Sequence, residues 1–302
     1  MLELRRLQIL STLAAEGTMT AAAARLYMTT SAVSQQIALL EREVGLPLLV
    51  RSGRSVALND AGRALVAHYG VISGAIDAAE AHLRTFHSDV RGTIAIGTFP
   101  SFCSAILPDA LMGLRRDHPQ LQTSVRDMEP TESVSQVRSG GLDVAVVDDL
   151  HALAMDGLVS GLLARDELVL CLPPGEPVQS APADLAEYAD ASWIFDTDAA
   201  FAEYVRSMCR QAGFEPRVVA QCSNLVATVG LVRAGYGVAL VSELNLGPTT
   251  QDLVVRRVLP ACERRIRVVT RASSQQAPSV RAVVRALRAA TKERYERRAE
   301  HG

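Results

Sequence analysis

Apolar residues near the start of the chain recur at helical spacing and predict two short helices. The first is amphipathic and ends at Gly17, with its apolar positions at Leu4, Leu7, Ile9, Leu10 and Leu13. Thr18 or Thr20 can cap the second helix, whose run AAAARL consists of small residues. Small side chains let two helices cross closely, which a helix-turn-helix requires of its first helix.

The segment SAVSQQIALLEREVG predicts a third helix, capped by Thr30 or Ser31 and ended by Gly45. Its buried stripe consists of Val33, Ile37, Leu40 and Val44. Away from that stripe lie polar side chains that can bond base edges and phosphates in a major groove, namely Thr30, Ser31, Ser34, Gln35 and Arg42. An ordinary three-helix bundle with a polar outer face would show the same pattern, so the residues that follow must decide between the two.

The next segment, LPLLVRSGRSVALNDAGRAL, predicts a strand, an Arg-Ser-Gly-Arg turn, a second strand and a helix capped by Asn59 or Asp60. A β-hairpin with arginines at its tip, placed directly after a recognition helix, is the wing of a winged helix-turn-helix. We expect Arg54 to enter the minor groove of DNA and Arg51 to contact a phosphate.

Residues 59–88 predict one long helix without proline. One face carries an apolar row at Leu65, Tyr69, Ile72, Ile76, Ala79 and Leu83. A long helix between two compact units has little of its own chain to cover such a face. Pairing with a second copy is therefore the favoured prediction, and packing on the chain's own C-terminal half is the alternative. Gly70 and Gly74 weaken helix propensity and would provide a hinge.

From Thr93 onward strands alternate with helices, which predicts an α/β fold with a parallel sheet covered by helices on both faces. TIAIG, LQTSVRDM and LDVAVV are the predicted strands of a first lobe, with helices at ILPDALMGLRRDHP and ESVSQVRSG. A second lobe is predicted from near Glu167, with strands at ELVLCLP, SWIF, RVVAQC and YGVALVS. The chain is then expected to return to the first lobe through RRIRVVT and a final helix over about residues 276–299.

The run SAVSQQI-x-x-LE-x-x-x-G-x-PLL-x-R resembles the DNA-binding signature of the LysR-type transcriptional regulators. RGTIAIGTF…ILPDALMGLRRDHPQL, GGLDVAVV and VRAGYGVALVSE resemble segments of that family's sensor domain, so the resemblance covers nearly the whole chain. Gln35 departs from the family pattern, since many relatives carry Arg at this position. Gln favours adenine where Arg favours guanine, so the departure changes the expected base preference.

The resemblance implies an α/β protein with an N-terminal winged helix-turn-helix, a long linker helix and a two-lobed α/β sensor domain that resembles periplasmic binding proteins. The predicted boundaries are 1–58 for the reader, 59–90 for the linker and 91–302 for the sensor, with lobe I at about 91–164 and 264–302 and lobe II at about 165–263. The implied partners are double-stranded DNA, a small-molecule effector that can carry a carboxylate, further copies of the chain in a dimer or tetramer, and RNA polymerase. No cofactor and no metal site are predicted.

In open α/β sheets, ligands sit at the carboxyl ends of strands, where helices begin. Polar residues follow predicted strands in both lobes, although each alone is equally consistent with a plain helix cap. Together with the resemblance, they provide the candidate effector contacts Thr98, Ser101, Thr131, Asp196 and Ser223. Asp196 and Glu129 are unfavourable for a purely anionic ligand, which suggests an amino or hydroxyl group on the effector, as in an amino acid or a sugar acid.

Composition and motifs limit the alternatives. The net charge of −2 gives no support to DNA binding, although residues 1–65 hold seven arginines against five acids. The sequence contains no P-loop, GxSxG, HExxH or dinucleotide fingerprint. His118 and His151 have no carboxylate or nucleophile partner at motif spacing, so we predict that the protein is not an enzyme.

Two further classes of protein stay open. The five scattered cysteines form no CxxC pair, but a regulator could respond to oxidation, through a pair such as Cys209 and Cys222, or to a protein partner. A solute-binding protein would show the same two lobes, but the N-terminal residues lack the continuous apolar core of a signal peptide. No apolar stretch reaches the roughly 18 residues that a membrane span needs. We therefore expect a cytoplasmic protein that binds no membrane.

Overall fold

The computed structural model describes residues 2–52, 55–85, 90–177 and 181–299. Its N-terminal unit consists of helices and a hairpin, which are α1 (Leu4–Glu16), α2 (Met19–Arg25), α3 (Thr30–Val44), β1 (Leu49–Ser52) and β2 (Ser55–Leu58). Strands β1 and β2 pair antiparallel, as the sequence predicts for a wing. Arg54, at the tip of the hairpin, lies outside the described residues.

The helices of this unit bury their apolar faces against one another. The core contains Ile9, Leu13, Ala22, Val33 and Ile37. Gly17 and Gly45 end α1 and α3 with φ of 69° and 70°, in the left-handed region that glycine adopts without strain. Both predicted helix ends are confirmed.

The predicted cap of α3 is wrong. The cap is Thr29, whose backbone is extended and whose Oγ1 accepts a hydrogen bond from Ala32 N at 3.2 Å. Thr30 and Ser31 therefore lie in the first turn of the helix, where both are exposed. The sequence could not distinguish three consecutive hydroxyl residues, because each can cap a helix that begins one position later.

A single helix, α4 (Asp60–Thr85), leads away from the wing. Its start is capped by Asn59, whose Oδ1 accepts a hydrogen bond from Gly62 N at 2.8 Å. The first part of the predicted apolar row, including the buried Tyr69, packs on the N-terminal unit. Ile72 and Ile76 remain 40% and 39% exposed, so this part of the row is available to a second copy of the chain.

Two of the glycines of α4, Gly70 and Gly74, lie where the helix meets the chain's own C-terminal half. A Cβ at Gly74 would lie 3.1 Å from Ser273 Oγ, and one at Gly70 would lie 3.6 Å from the carbonyl oxygen of Arg138. The helix is unbroken at both positions, so the predicted hinge is not observed. At Gly74 the glycine permits close approach, and the alternative packing of α4 on its own sensor domain holds for this face.

Lobe I begins after the linker. Its elements are β3 (Gly92–Thr98), α5 (Pro100–Ala105), α6 (Leu107–Asp117), β4 (Leu121–Asp127), α7 (Pro130–Ser139) and β5 (Val144–Asp148). Strand β3 pairs in parallel with both β4 and β5. The short helix α5 was not predicted, because the apolar pattern of that segment gave no separate signal.

Lobe II follows, and the chain then returns to lobe I. The elements of lobe II are β6 (Leu158–Leu172), β7 (Ala183–Asp184), β8 (Ser192–Asp196), α8 (Ala199–Gln211), β9 (Arg217–Cys222), α9 (Leu225–Arg233), β10 (Ala239–Ser242) and β11 (Val254–Leu259). The returning elements are β12 (Glu263–Arg271) and α10 (Pro278–Ala299). Val280, Val283 and Leu287 on α10 are buried in the core of lobe I, as the predicted return requires.

The two lobes are joined through β6. Its first part pairs with β12, while its last part pairs with β10 and β11, all antiparallel. ELVLCLP is therefore the end of one long strand rather than a separate one. The predicted parallel pairing holds for β3, β4 and β5, but β12, on which the chain returns from the second lobe, pairs antiparallel with β5 and β6. Among the described helices, none has the length and apolarity that crossing a bilayer requires.

Candidate effector cleft and DNA-reading surface

The candidate base-reading residues of α3 lie together on its outer face. Thr30, Ser31, Ser34 and Gln35 are all exposed, and Ser31 Oγ lies 3.0 Å from Thr29 Oγ1. Arg51 is placed in β1 opposite Val56; the position of its side chain is outside what the structure describes. The helix therefore presents short hydroxyls and an amide at its N-terminal end, which is the part of a recognition helix that contacts base edges.

The neighbouring glutamine has a different role. Gln36 is partly buried, and its Oε1 accepts a hydrogen bond from Arg6 Nε at 3.2 Å. Arg6 also pairs with Glu43. Gln36 thus fixes α3 against α1, whereas Gln35, one position round the helix, faces solvent.

Tyr27 is a surface residue that the sequence analysis passed over. It is 98% exposed and has a φ of 54°, in the turn between α2 and α3. A bulky residue in left-handed backbone is uncommon, and a fully exposed aromatic ring has no packing reason for its position. Its signal in the sequence was weak, because a single aromatic residue in a turn looks like any other break between helices.

A cleft of 720 Å³ lies between the lobes. Three of the five predicted effector contacts line it, namely Ser101, Asp196 and Ser223. Thr98 and Thr131 do not line it. Thr98 is the last residue of β3 and is fully buried. Thr131 is exposed and follows Pro130, which lines the cleft at the start of α7.

The floor of the cleft is a buried arginine that the sequence analysis missed. Arg264 is 5% exposed and donates from Nε to Asp166 (2.8 Å), from Nη1 to Asp148 (3.1 Å) and from Nη2 to Ser101 Oγ (2.7 Å). Its guanidinium carbon lies 4.7 Å from the centre of the Phe99 ring. A buried cation with two carboxylates and a ring face is fully paired, as burial of charge requires.

Asp166 carries this network into lobe II. It is fully buried in β6, and it accepts hydrogen bonds from Ser242 Oγ (2.6 Å) and Leu244 N (3.3 Å) at the end of β10. Tyr295 OH lies 3.5 Å from Asp166 Oδ1, the oxygen that also accepts from Leu244 N. The place where the chain crosses between the lobes is thus held by one continuous set of hydrogen bonds.

A pair of acids from lobe II faces the cleft. Asp196 Oδ1 accepts a hydrogen bond from Asp198 N at 2.9 Å, and burial raises the pKa of the Asp196 carboxyl. Asp198 caps α8, with Oδ1 accepting from Ala200 N at 2.8 Å. Glu129, at the start of α7 in lobe I, also lines the cleft, and burial followed by the charge of Asp198 raises the pKa of Glu129.

His151 has two carboxylate partners that the sequence did not indicate. Its Nδ1 lies 2.9 Å from Asp148 Oδ1, and its Nε2 lies 3.3 Å from Asp198 Oδ2. The hydrogen bond with Asp148 raises the pKa of the His151 imidazole. Asp148 stands three residues earlier in the chain and Asp198 in the other lobe, so neither spacing belongs to a catalytic motif.

Arg294 of α10 places a second cation on the cleft lining. Its Nη2 donates to the carbonyl oxygen of Leu246 at 3.3 Å. Its buried Nε has no hydrogen-bond partner among the described residues. Unlike Arg264, this guanidinium has no carboxylate partner among the described residues.

The cysteines give little support to oxidation sensing. Burial raises the pKa of Cys171 and of Cys262 to about 12, and that of Cys209 to about 11. Such thiols are almost entirely protonated at neutral pH, and the thiolate is the reactive form. Cys209 and Cys222 are both buried, and they pack in different apolar clusters.

Two family models match the sequence. The model described as "LysR substrate binding domain" matches residues 87–292, and "Bacterial regulatory helix-turn-helix protein, lysR family" matches residues 4–63. The chain belongs to the LysR family of transcriptional regulators. It is accordingly a DNA-binding regulator whose two-lobed half is the family's effector-binding domain.

Curated LysR-type relatives match most of the chain. The transcriptional dual regulator GltC of Bacillus subtilis is 27% identical over 82% of this chain and 84% of its own length. The regulator AlsR of the same organism is 30% identical over 80% of both chains. Both of these relatives are named as transcriptional regulators.

Solved LysR-type structures share the fold. A full-length OxyR variant from Pseudomonas aeruginosa superposes with a TM-score of 0.73 at 19% identity, over 95% of each chain. Full-length CbnR in complex with its target DNA superposes with a TM-score of 0.57 at 22% identity, over 96% of this chain and all of that one.

Proposed function

We propose that the cleft between the lobes binds a small organic effector, and that this binding changes how the N-terminal unit holds DNA. The supporting observation is the cleft itself, with a volume of 720 Å³ and polar side chains from both lobes on its walls. Small-molecule sites typically have this volume and a few convergent polar groups. A ligand that touches both lobes favours the arrangement in which it makes more contacts.

The walls favour an effector with two different ends. Asp196 offers a carboxylate to an ammonium or hydroxyl group, and Arg294 places a guanidinium on the lining for a carboxylate. Ser101 and Ser223 add hydroxyl groups to the lining of the cleft. An amino acid or a sugar acid carries this combination of groups, whereas a simple dicarboxylate would bring negative charge against Asp196.

The route to DNA runs through α4. This helix packs on the sensor domain at Gly70 and Gly74 and on the N-terminal unit at Tyr69, so it contacts both parts. Ile72 and Ile76 are the expected contacts with a second copy in a dimer, or in a tetramer of two dimers. A change in the sensor would then alter the spacing of two readers on DNA in the cytoplasm, and with it any contact to RNA polymerase.

A thermal-unfolding panel tests the effector class. The full-length protein, with chelator present, is mixed with amino acids, sugar acids, amines and simple dicarboxylates. A true effector at about 100 times its Kd should stabilise the protein by about 2.7 kcal/mol, which is a rise in Tm of about 5–11 °C. The Asp196→Asn variant should lose this rise, while Asp190→Asn, on the exposed surface of the same lobe, should keep it. Stabilisation by simple dicarboxylates alone would refute the proposed ligand chemistry.

A further inference from the structure

Three side chains with metal-binding atoms meet at the rim of the cleft. Glu129, His151 and Asp198 each bring one ligand atom within 4.8 Å of the other two. Glu129 and His151 belong to lobe I, and Asp198 caps the first helix of lobe II after the crossing. An ion held by all three would connect the lobes.

His151 is oriented as metal-binding histidines are. Its Nδ1 is held by the buried carboxylate of Asp148 at 2.9 Å, and Arg264 holds the other oxygen of that carboxylate at 3.1 Å. A carboxylate on one ring nitrogen fixes the ring and its tautomer, and leaves the other nitrogen free to coordinate. Here Nε2 points toward Asp198, in the opposite lobe.

The spacing fits a small ion. Bonds of about 2.1 Å in a tetrahedral site place neighbouring ligand atoms about 3.4 Å apart. His151 Nε2 and Asp198 Oδ2 already lie 3.3 Å apart. The other oxygen of Asp198 is occupied by the N-cap, which holds the carboxylate in place. Glu129 is the most exposed of the three, so it can approach an ion with little cost.

We propose that Glu129, His151 and Asp198 form a binding site for a divalent transition-metal ion that joins the two lobes. One imidazole with two carboxylates suits Zn²⁺, Mn²⁺ or Fe²⁺ rather than Ca²⁺ or Mg²⁺, which prefer oxygen ligands alone. Three protein ligands leave a fourth position open, and the cleft gives water or an effector carboxylate access to it. Any effect of the ion on DNA binding rests on the proposed function, whereas binding of the ion does not.

Titration calorimetry on the full-length, untagged and chelator-treated protein tests the site, with ZnCl₂ and MnCl₂ as probes and MgCl₂ as the comparison. We expect one Zn²⁺ or Mn²⁺ per chain and no comparable Mg²⁺ heat. Glu129→Gln and Asp198→Asn keep the shape of each side chain, and Asn can still cap α8. Each should abolish this binding, while His118→Ala, a histidine elsewhere in lobe I, should leave it unchanged.

The positioning role of Asp148 has its own readout. Asp148→Asn should lower the affinity of the site for the ion by about 10–100-fold without abolishing binding, because Asp148 orients His151 and does not itself contact the ion. Visible absorption of the Co²⁺-loaded protein should report four-coordination in the wild type, and this absorption should be lost in Asp198→Asn.

Equal affinity of wild type, Glu129→Gln and Asp198→Asn for Zn²⁺ would place the ion elsewhere and overturn the proposal, as would the absence of any binding. An effector panel that fails both in chelator and with Zn²⁺ loaded, while Zn²⁺ still binds, would refute only the proposed function.

Discussion

Replacing Arg264 by Met should destabilise the sensor domain strongly, because it removes the only charge partner that Asp148 and Asp166 share within the described network. Both carboxylates are almost fully buried, at 3% and 0% exposed, and Arg264 contacts each within 3.1 Å. Methionine fills a similar length but leaves Asp166 without its charge partner and Asp148 with His151 alone, at two almost fully buried positions. Removal of one partner from a buried ion pair costs about 3–5 kcal/mol. For a domain of this size the loss corresponds to a fall in Tm of about 6–20 °C.

The matched control is the next residue of the same strand. Arg265 pairs with Asp149 at 3.3 Å, but its side chain is 54% exposed. Exposed pairs contribute about 0–1 kcal/mol, so Arg265→Ala should change the Tm of the sensor transition by only a few degrees. Differential scanning calorimetry of wild type and both variants measures the difference directly.

The pH dependence distinguishes lost charge pairing from lost packing. Burial would raise the pKa of Asp148, but the hydrogen bond from His151 and the charge of Arg264 outweigh it, so the pKa lies below its ordinary value. A lowered pKa in the folded state contributes stability above the unfolded pKa, and this contribution is lost as the pH falls through the folded pKa. Without the charge of Arg264 the buried Asp148 carboxyl moves toward its neutral form, so the deficit of Arg264→Met should be largest at pH 7 and shrink toward pH 4. A deficit that is the same at both pH values, or no larger than that of Arg265→Ala, would refute this reasoning.

Three further predictions concern DNA and assembly. Gln35→Ala should cost about 1–3 kcal/mol at one base position, measured as Kd over singly substituted operators, and identical Kd ratios for variant and wild type would remove its base-reading role. Arg51→Ala should weaken binding to all DNA sequences equally and reduce the slope of log K against log salt by about 0.9. A loss of affinity that depends on the DNA sequence would argue against a phosphate contact. Ile76→Glu should shift the dimer toward monomer in light scattering, because it places a charge on the exposed apolar row of α4, and an unchanged mass would move the interface elsewhere.

The parts of the fold that the sequence predicted are those with local signals. Gly17 and Gly45 mark helix ends by their own backbone preference, and the short apolar runs TIAIG in β3 and VAVV in β5 indicate buried strands directly. The antiparallel crossing of β6 and β12 had no such signal, since residues 158–172 and 263–271 are far apart in sequence and meet only in the folded chain. Whether two strands pair parallel or antiparallel depends on the path of the chain through the whole sheet.

Prediction of the cleft from the sequence has the same limit, because only its local signals could be recognised. Ser101, Asp196 and Ser223 were predicted because each follows a strand, and strand ends converge at one edge of a sheet. Arg264 lies inside a strand, where a charged residue usually marks a solvent-facing position, and only its partners Asp148 and Asp166 explain its burial. His151 could not be recognised either, because one of its two carboxylates comes from the other lobe.

The most direct test of the account is affinity sequencing of genomic DNA fragments with the purified full-length protein, at low and at physiological salt. A dimer of winged helix-turn-helix units should recover fragments that share a short inverted repeat, since the symmetry of the site follows the symmetry of the protein. The genes beside such sites would then indicate the chemistry of the effector. Recovery that has no sequence in common and disappears at physiological salt would contradict sequence-specific regulation by this chain.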